Sequence, residues 1–454
     1  MIQFVPKTVI RHNFSQAMSK MYQTEVPLYK ELIDLVADIN SDTLEKDDEL
    51  KRQLTNTGEL ERINLERHGA IRLGLPSELT TMRRLFAVMD MHPVGYYDLS
   101  SAGVPVHSTA FRAINSAELQ ASPFRVFCSL LRLELIKDDK LRQIALEILQ
   151  NRQIFSDGVL FLIEKSEKEG GLSSDDADLF VTEAIKTFKW HKTSPISKAF
   201  YDKLLSQHRL IADVVGFYGP HINHLTPRTL DIDAVQDEMG SRGIAAKEII
   251  EGPPRRKCPI LLRQTSFKAL NEAIIFTGDG REEGYHTARF GEIEQRGIAL
   301  TPKGRSLYDK LLNKARASLK FAPEKDPNAY YQALTETFTA FPDEYQALYN
   351  DGLAYFYYQL NDHFSDKDTS DKSVQSLLDN DILRLEPIVY EDFLPVSAAG
   401  IFQSNLGEDT NPGYEGKSNQ DSFEQDLGIK VYDECDLYQA MMDKSLEECL
   451  AKLG

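Results

Sequence analysis

Two histidines in this 454-residue chain are each followed four residues later by an arginine, in His68-Gly-Ala-Ile-Arg72 and His224-Leu-Thr-Pro-Arg228. In an extended strand side chains repeat with period two, so residues at i and i+4 point to the same face. The segments downstream of the two pairs are also alike. Pro76–Met91 and Asp231–Gly243 both have helical spacing, and both lead into β-rich sequence. Each β-rich run closes on a similar strand, His107-Ser-Thr-Ala-Phe-Arg-Ala-Ile114 and His286-Thr-Ala-Arg-Phe-Gly-Glu-Ile293. Aligning Phe111 with Phe290 sets Ala113 against Glu292. Duplicated βαβββ modules with ligand-type residues on their first and last strands are a way to build a metal site inside a sheet.

Two imidazoles and one carboxylate with open coordination positions suit Fe(II) that must bind substrate and dioxygen together. His68, His224 and Glu292 would supply such a set, with Ala113 leaving the first module without an acid. Glu294 lies on the same strand face as Glu292, and periodicity alone does not separate them; the Phe111/Phe290 register favours Glu292. A single strand histidine is ordinarily a hydrogen-bonded structural residue, and the paired context is what raises these two above that. His107 and His286 are equivalent under the repeat and share the ligand face, as groups that would touch the ligands rather than the metal. His221 and His92 read as structural. Arg72 lies about 13 Å along the strand from His68 at ~3.3 Å per residue, a gap that a long side chain shortens. Its planar fork suits a carboxylate held bidentately at a fixed distance from the metal, with an ordinary salt bridge as the alternative. Arg228 follows Pro227 and leaves the strand early, so it ranks lower.

The elements that must position these groups give an α+β chain. We expect a duplicated βαβββ core, a central curved sheet around the metal site, with helical insertions and helical termini. Residues 1–57 read as an N-terminal helical segment and 58–118 as the first module. Residues 119–208 read as a helical insertion, because PFRVFCSLLRLELI and the runs after it carry apolar stripes. The second module spans 209–300 and begins at LIADVVGFYGPHINHL, rich in β-branched and aromatic residues. Residues 301–380 read as helical, and 381–454 as a late strand, a loop and a C-terminal helix.

Composition is that of an ordinary globular protein, 42% hydrophobic and 27% charged. A net charge of −18 argues against nucleic acid or an anionic membrane as partner. The four cysteines form no C-x-x-C pair, which disfavours structural zinc or a disulfide framework and fits a reducing compartment. With no signal-like or membrane-spanning run, the chain reads as cytoplasmic.

The stretches ERHGAIRLG, VGYYDLSSAGVPVHSTAFR, INHLTPR, ARFGEIEQRGIALTPKGR and LPVSAAGIFQSNL resemble the 2-oxoadipate dioxygenase/decarboxylase family, also called 2-hydroxyglutarate synthase, of the vicinal-oxygen-chelate group. The resemblance spans nearly the whole chain. It implies a metal triad at His68, His224 and Glu292, a substrate-carboxylate arginine at Arg72, and help from Val396 and Ser397. A fainter likeness of Ile260–Lys268 and Phe290–Arg296 to the closing strands of 4-hydroxyphenylpyruvate dioxygenases also implies Glu292 as ligand and Gln264 as a substrate contact. The implied reaction is Fe(II)-dependent conversion of 2-oxoadipate, or a close 2-oxo acid, and O2 to 2-hydroxyglutarate and CO2, in lysine breakdown. A zinc- or manganese-dependent hydrolase or lyase of the glyoxalase type could use the same triad. A binding protein without turnover is a third reading.

Overall fold

A computed structural model describes residues 3–367, 371–394 and 419–453. Its centre is a five-stranded sheet ordered β2-β3-β4-β1-β6, from β1 (Arg67–Leu73), β2 (His92–Asp98), β3 (Val106–Arg112), β4 (Phe124–Leu131) and β6 (Leu225–Pro227), with the short β5 (Thr193–Ser194) elsewhere. β1 runs parallel to β4 and antiparallel to β6. Past β6 the sheet continues. β7 (Leu262–Ser266) pairs antiparallel with β10 (Glu292–Arg296), and β10 joins β6 through a parallel bridge between Arg228 and Glu294. The hairpin of β8 (Asn271–Phe276) and β9 (Glu282–Thr287) pairs with β5 instead.

The two halves mirror one another about the β1/β6 seam. On one side stand β1, β4 and β3, and on the other β6, β10 and β7. Alongside β7, residues 246–251 bridge at Ala246–Phe267 and Glu251–Gln264, taking the place that β2 holds in the first half. The expected duplicated βαβββ architecture is therefore present, with β8 and β9 inserted into the second copy. Each copy's helix is started by a carboxylate. Glu78 accepts from the Gly74 and Leu75 amides ahead of the Pro76–Ala87 helix. Asp231 accepts from Asp233 and Ala234 at the start of Ile232–Met239.

One sheet face, with Ile71, Leu73, Val126, Cys128 and Leu130, packs under the N-terminal helices Lys7–Glu25 and Pro27–Lys46 and the helices Asp157–Glu169 and Ser174–Ala184. The opposite face carries His68, Ala70 and Arg72 on β1 and Phe127 on β4, and is walled by helices Lys198–Gln207 and Arg209–Val215.

Four sequence readings need correction. Phe124–Leu131 is a strand and not a helix. All eight of its residues are buried, Arg125 and Ser129 among them, so no solvated polar face marks a period that distinguishes strand from helix. Arg209–Val215, read as the β-rich start of the second module, is a helix. Phe356–Leu360, read as helical, is a strand paired antiparallel with Leu383–Pro387. Finally, the counterpart of β10 is β4 and not β3, since each is the parallel neighbour of its module's first strand. With Arg72 facing Ser129 and Arg228 facing Glu294, the residue equivalent to Glu292 is Phe127, where the Phe111/Phe290 register had placed Ala113. The asymmetry survives the correction: only the second copy carries an acid there.

Candidate metal centre

His68, on β1, and His224, just ahead of β6, meet across the seam between the two copies. Their rings are 5.5 Å apart and nearly perpendicular. Gly69 permits this approach. A Cβ there would stand 2.6 Å from Ile222 Cδ1 and 2.9 Å from the His224 carbonyl oxygen. Glu292, the first residue of β10, places Oε1 3.2 Å from His68 Nε2. Ligand atoms of His68, His224 and Glu292 all lie within 4.8 Å of one another, and all three residues are buried.

The surrounding hydrogen bonds aim these groups. Gln264 Nε2 donates to Glu292 Oε1 at 2.9 Å, and Thr226 Oγ1 donates to the same oxygen at 3.2 Å. His68 Nδ1 lies 3.2 Å from Glu294 Oε2, and Glu294 is in turn paired with Arg296 at 2.7 Å and 3.0 Å. Glu294 is thus a partner of the ring and of Arg296, while Glu292 faces the open side. Burial opposes a charge on Glu294, but Arg296, His68 and Arg125 outweigh it and hold the carboxyl at about 2. Burial raises the Glu292 carboxyl, with His68 acting against it. At His68 burial alone would lower the pKa; the Glu294 and Glu292 carboxylates overcome it and the net shift is upward. His224 is pushed well below the ordinary imidazole value by burial, by His68 and by Arg72.

The donor set fits a metal. Both ring nitrogens of His224 and Oε2 of Glu292 are buried with no hydrogen-bond partner in the structure. An unmet buried polar atom costs about 1–3 kcal/mol, so an unpartnered His224 ring beside an unpartnered Glu292 oxygen, each within 4.8 Å of a His68 nitrogen by one ligand atom, marks a place for a cation. The apolar walls are Phe393, 4.9 Å from the His68 ring, and Phe290, 4.9 Å from His224.

Arg72 points along the same face. Its Nη1 donates to Asp213 Oδ2 at 2.5 Å. Asp213 Oδ1 accepts from His286 Nε2 at 2.7 Å and lies 3.3 Å from His221 Nε2, while Tyr201 OH is 2.6 Å from His286 Nδ1. Burial would raise the Asp213 carboxyl, but His221, Arg72 and His286 together hold it well below the usual carboxylate range. Asp213, His221 and His286 also converge as a possible metal trio. Both nitrogens of His286 and both oxygens of Asp213 already have protein partners, so this trio reads as a closed polar network.

Of the other sequence candidates, Arg228 is a structural ion-pair partner of Glu59 and Glu66. His107 packs against Phe423 and Tyr96, away from the triad. His286 touches the residue that holds Arg72 rather than a triad ligand, and His221 shares that position. Val396 and Ser397 lie outside the described residues. Sequence reasoning missed Asp213, Tyr201, Arg209 and Lys247. The available signal was Asp213 itself, an acid set inside the apolar run Leu210–Val215. Lys247 is half-buried beside Glu251 and Glu292, and burial brings its amine down to about 8.

A family model described as 2-oxoadipate dioxygenase/decarboxylase matches residues 14–405. The chain is 54% identical to the 2-oxoadipate dioxygenase/decarboxylase of Pseudomonas putida, covering 99% of this chain and 98% of that one. It is 53% identical to the protein of the same name from Escherichia coli, with 97% of each covered. The crystal structure of the Pseudomonas putida hydroxyglutarate synthase in complex with 2-oxoadipate superposes with a TM-score of 0.91 at 52% identity, over 99% of this chain and 98% of that one.

Proposed function

This chain belongs to the 2-oxoadipate dioxygenase/decarboxylase family, and we propose that it converts 2-oxoadipate, or a close 2-oxo acid, and O2 to 2-hydroxyglutarate and CO2, using Fe(II) held by His68, His224 and Glu292. The observation that supports the assignment of ligands is that one ligand atom each of His68, His224 and Glu292 lies within 4.8 Å of the others, with His224 and Glu292 Oε2 otherwise unpartnered. Bound there, iron would supply the redox chemistry with dioxygen and the Lewis acidity toward the 2-oxo acid head.

The protein's own residues bind, orient and exclude water. His68 presents Nε2 to the metal because Glu294 occupies its Nδ1 side. Arg72 holds the far carboxylate of the substrate and so measures its length, with Asp213 fixing the guanidinium from behind. Val396 and Ser397 assist at that carboxylate. Gln264, bonded to Glu292, is positioned as a further substrate contact. Phe127, Phe290 and Phe393 keep the reacting head dry. We place the reaction in cytoplasmic lysine breakdown on the same family grounds. Among the described residues no helix is long and apolar enough to cross a membrane.

The test is oxygen uptake and CO2 release by anaerobically iron-loaded protein given C5–C7 2-oxo diacids. Turnover strongest on the C6 acid is expected, and neither gas changing with any of them overturns the proposal. Metal analysis run alongside distinguishes the zinc- or manganese-dependent reading. His68→Ala should abolish metal binding, while Arg72→Ala should keep the metal and raise KM.

A further inference from the structure

Arg209 opens the short helix that carries Asp213, one helical turn before it, so the two side chains share a face. That face is turned toward Arg72, because Asp213 is the residue that binds the Arg72 guanidinium. Arg209 is half-buried, and the charges of Arg72 and Asp213 act on it in opposite senses. Yet no hydrogen bond or salt bridge joins it to any described residue.

Asp213 is already engaged by other groups. One of its oxygens accepts from Arg72, and the other accepts from His286 and lies 3.3 Å from His221 Nε2. Lys247, on which the Arg209 charge acts, has Glu251 and Glu292 acting on it in the opposite sense. Arg209 is therefore the cation of this cluster left without a carboxylate. A partly desolvated guanidinium beside a like charge, with no carboxylate bonded to it directly, is unfavourable. An anion arriving between Arg72 and Arg209 removes that cost, and two planar forks can grip one carboxylate at both of its oxygens.

We infer that Arg209 is a second carboxylate-reading residue, acting beside Arg72 on the far carboxylate of a 2-oxo diacid and setting the preferred chain length. The inference rests on the proposed function. It assigns Arg72 and Arg209 a shared ligand group, with Asp213, His286 and Tyr201 as the framework that positions them.

The experiment compares wild type, Arg209→Gln and Arg209→Lys in oxygen uptake with C5, C6 and C7 2-oxo diacids and with the C6 2-oxo monoacid. Arg209→Gln should raise KM for the C6 diacid roughly 10- to 100-fold, as expected for loss of one charged contact. It should leave KM for the monoacid within about twofold and flatten the preference among diacid lengths. Arg209→Lys should recover part of the diacid affinity. Anaerobic binding gives a readout apart from turnover. Trp190, the single tryptophan, lies 4.7 Å from His221 and stacks at 5.9 Å on His286, so its fluorescence should report diacid binding, weakened in Arg209→Gln. Equal KM changes for diacid and monoacid, or no change in either, overturn the role of Arg209. Wild-type protein that consumes no oxygen with any diacid would instead remove the proposed function itself.

Discussion

The Nδ1 of His68 faces the Glu294 carboxylate at 3.2 Å, on the opposite side of the ring from Glu292. Two acids two residues apart on one strand face therefore do different work. Glu292 is left as a ligand, and Glu294 fixes which imidazole nitrogen is free to be another. Glu294→Gln should retain one metal per chain at saturation but weaken its binding about 10- to 100-fold. Glu292→Gln should lose the metal outright. Metal titration of the two variants checks this, and the reverse order of severity would exchange their roles.

Metal affinity should fall steeply with acidification. Burial would lower the His68 pKa, but the facing carboxylates bring the net shift upward; Glu292 is raised by burial. A metal needs both groups without their protons, so protons compete from a higher pH than they would at an ordinary imidazole near 6.5. Titrations of the apo-protein between about pH 8 and 6 should show the dissociation constant rising throughout that window. A constant that is flat down to about pH 6.5 would contradict it.

Gly69→Ala should damage the centre without touching a ligand. The added Cβ meets Ile222 and the His224 carbonyl at 2.6 Å and 2.9 Å, so the segment leading to His224 must move. Overpacking of this kind costs about 1–3 kcal/mol. A lower melting temperature together with weaker metal binding is expected; wild-type values for both would show that the seam is slack.

Glu66 sits fully buried among four arginines. It pairs with Arg62 at 3.2 Å, Arg125 at 3.0 Å, Arg228 at 3.3 Å and Arg296 at 3.2 Å. Burial opposes its charge, and the four guanidiniums together hold its carboxyl well below the usual range. Glu66→Gln leaves those guanidiniums undercompensated and should cost about 3–5 kcal/mol in urea unfolding. A change under about 1 kcal/mol would show that water enters the cluster.

Much of this centre was legible in the sequence, for physical reasons. His68 and Arg72 lie on a strand whose period-two alternation places both on one face, and the matching His224-to-Arg228 run exposed the duplication. The Pro76–Ala87 and Ile232–Met239 helices carry clear start signals. The elements that were misread lacked a period. Phe124–Leu131 is covered on both faces, so apolar residues stand on either side of it around the buried Arg125 and Ser129, and reading it as a helix shifts the equivalence of the closing strands by one strand. The Phe111/Phe290 register and the likeness to the 4-hydroxyphenylpyruvate dioxygenase closing strand nevertheless point to Glu292, and the corrected register also leaves the first copy without an acid at that place. Asp213 shows in the sequence only as an acid inside an apolar run; its partners Arg72 and His286 lie 141 and 73 residues away, so nothing local pairs it with them.

The buried ion pairs also constrain the order in which the protein can be made. Glu391 binds Arg62 and Arg125, while Arg296 ties Glu66 to Glu294 behind His68. His68 and Glu292 are 224 residues apart, and Arg62 and Glu391 are 329 apart. A ribosome-bound chain that has produced both histidines still lacks the acid ligand, and one that has produced Glu292 still lacks the residue that closes the charge lattice behind it. A chain that stops after Glu292 but short of Glu391 would hold all three proposed ligands while Arg62 and Arg125 behind them lack one of their carboxylates.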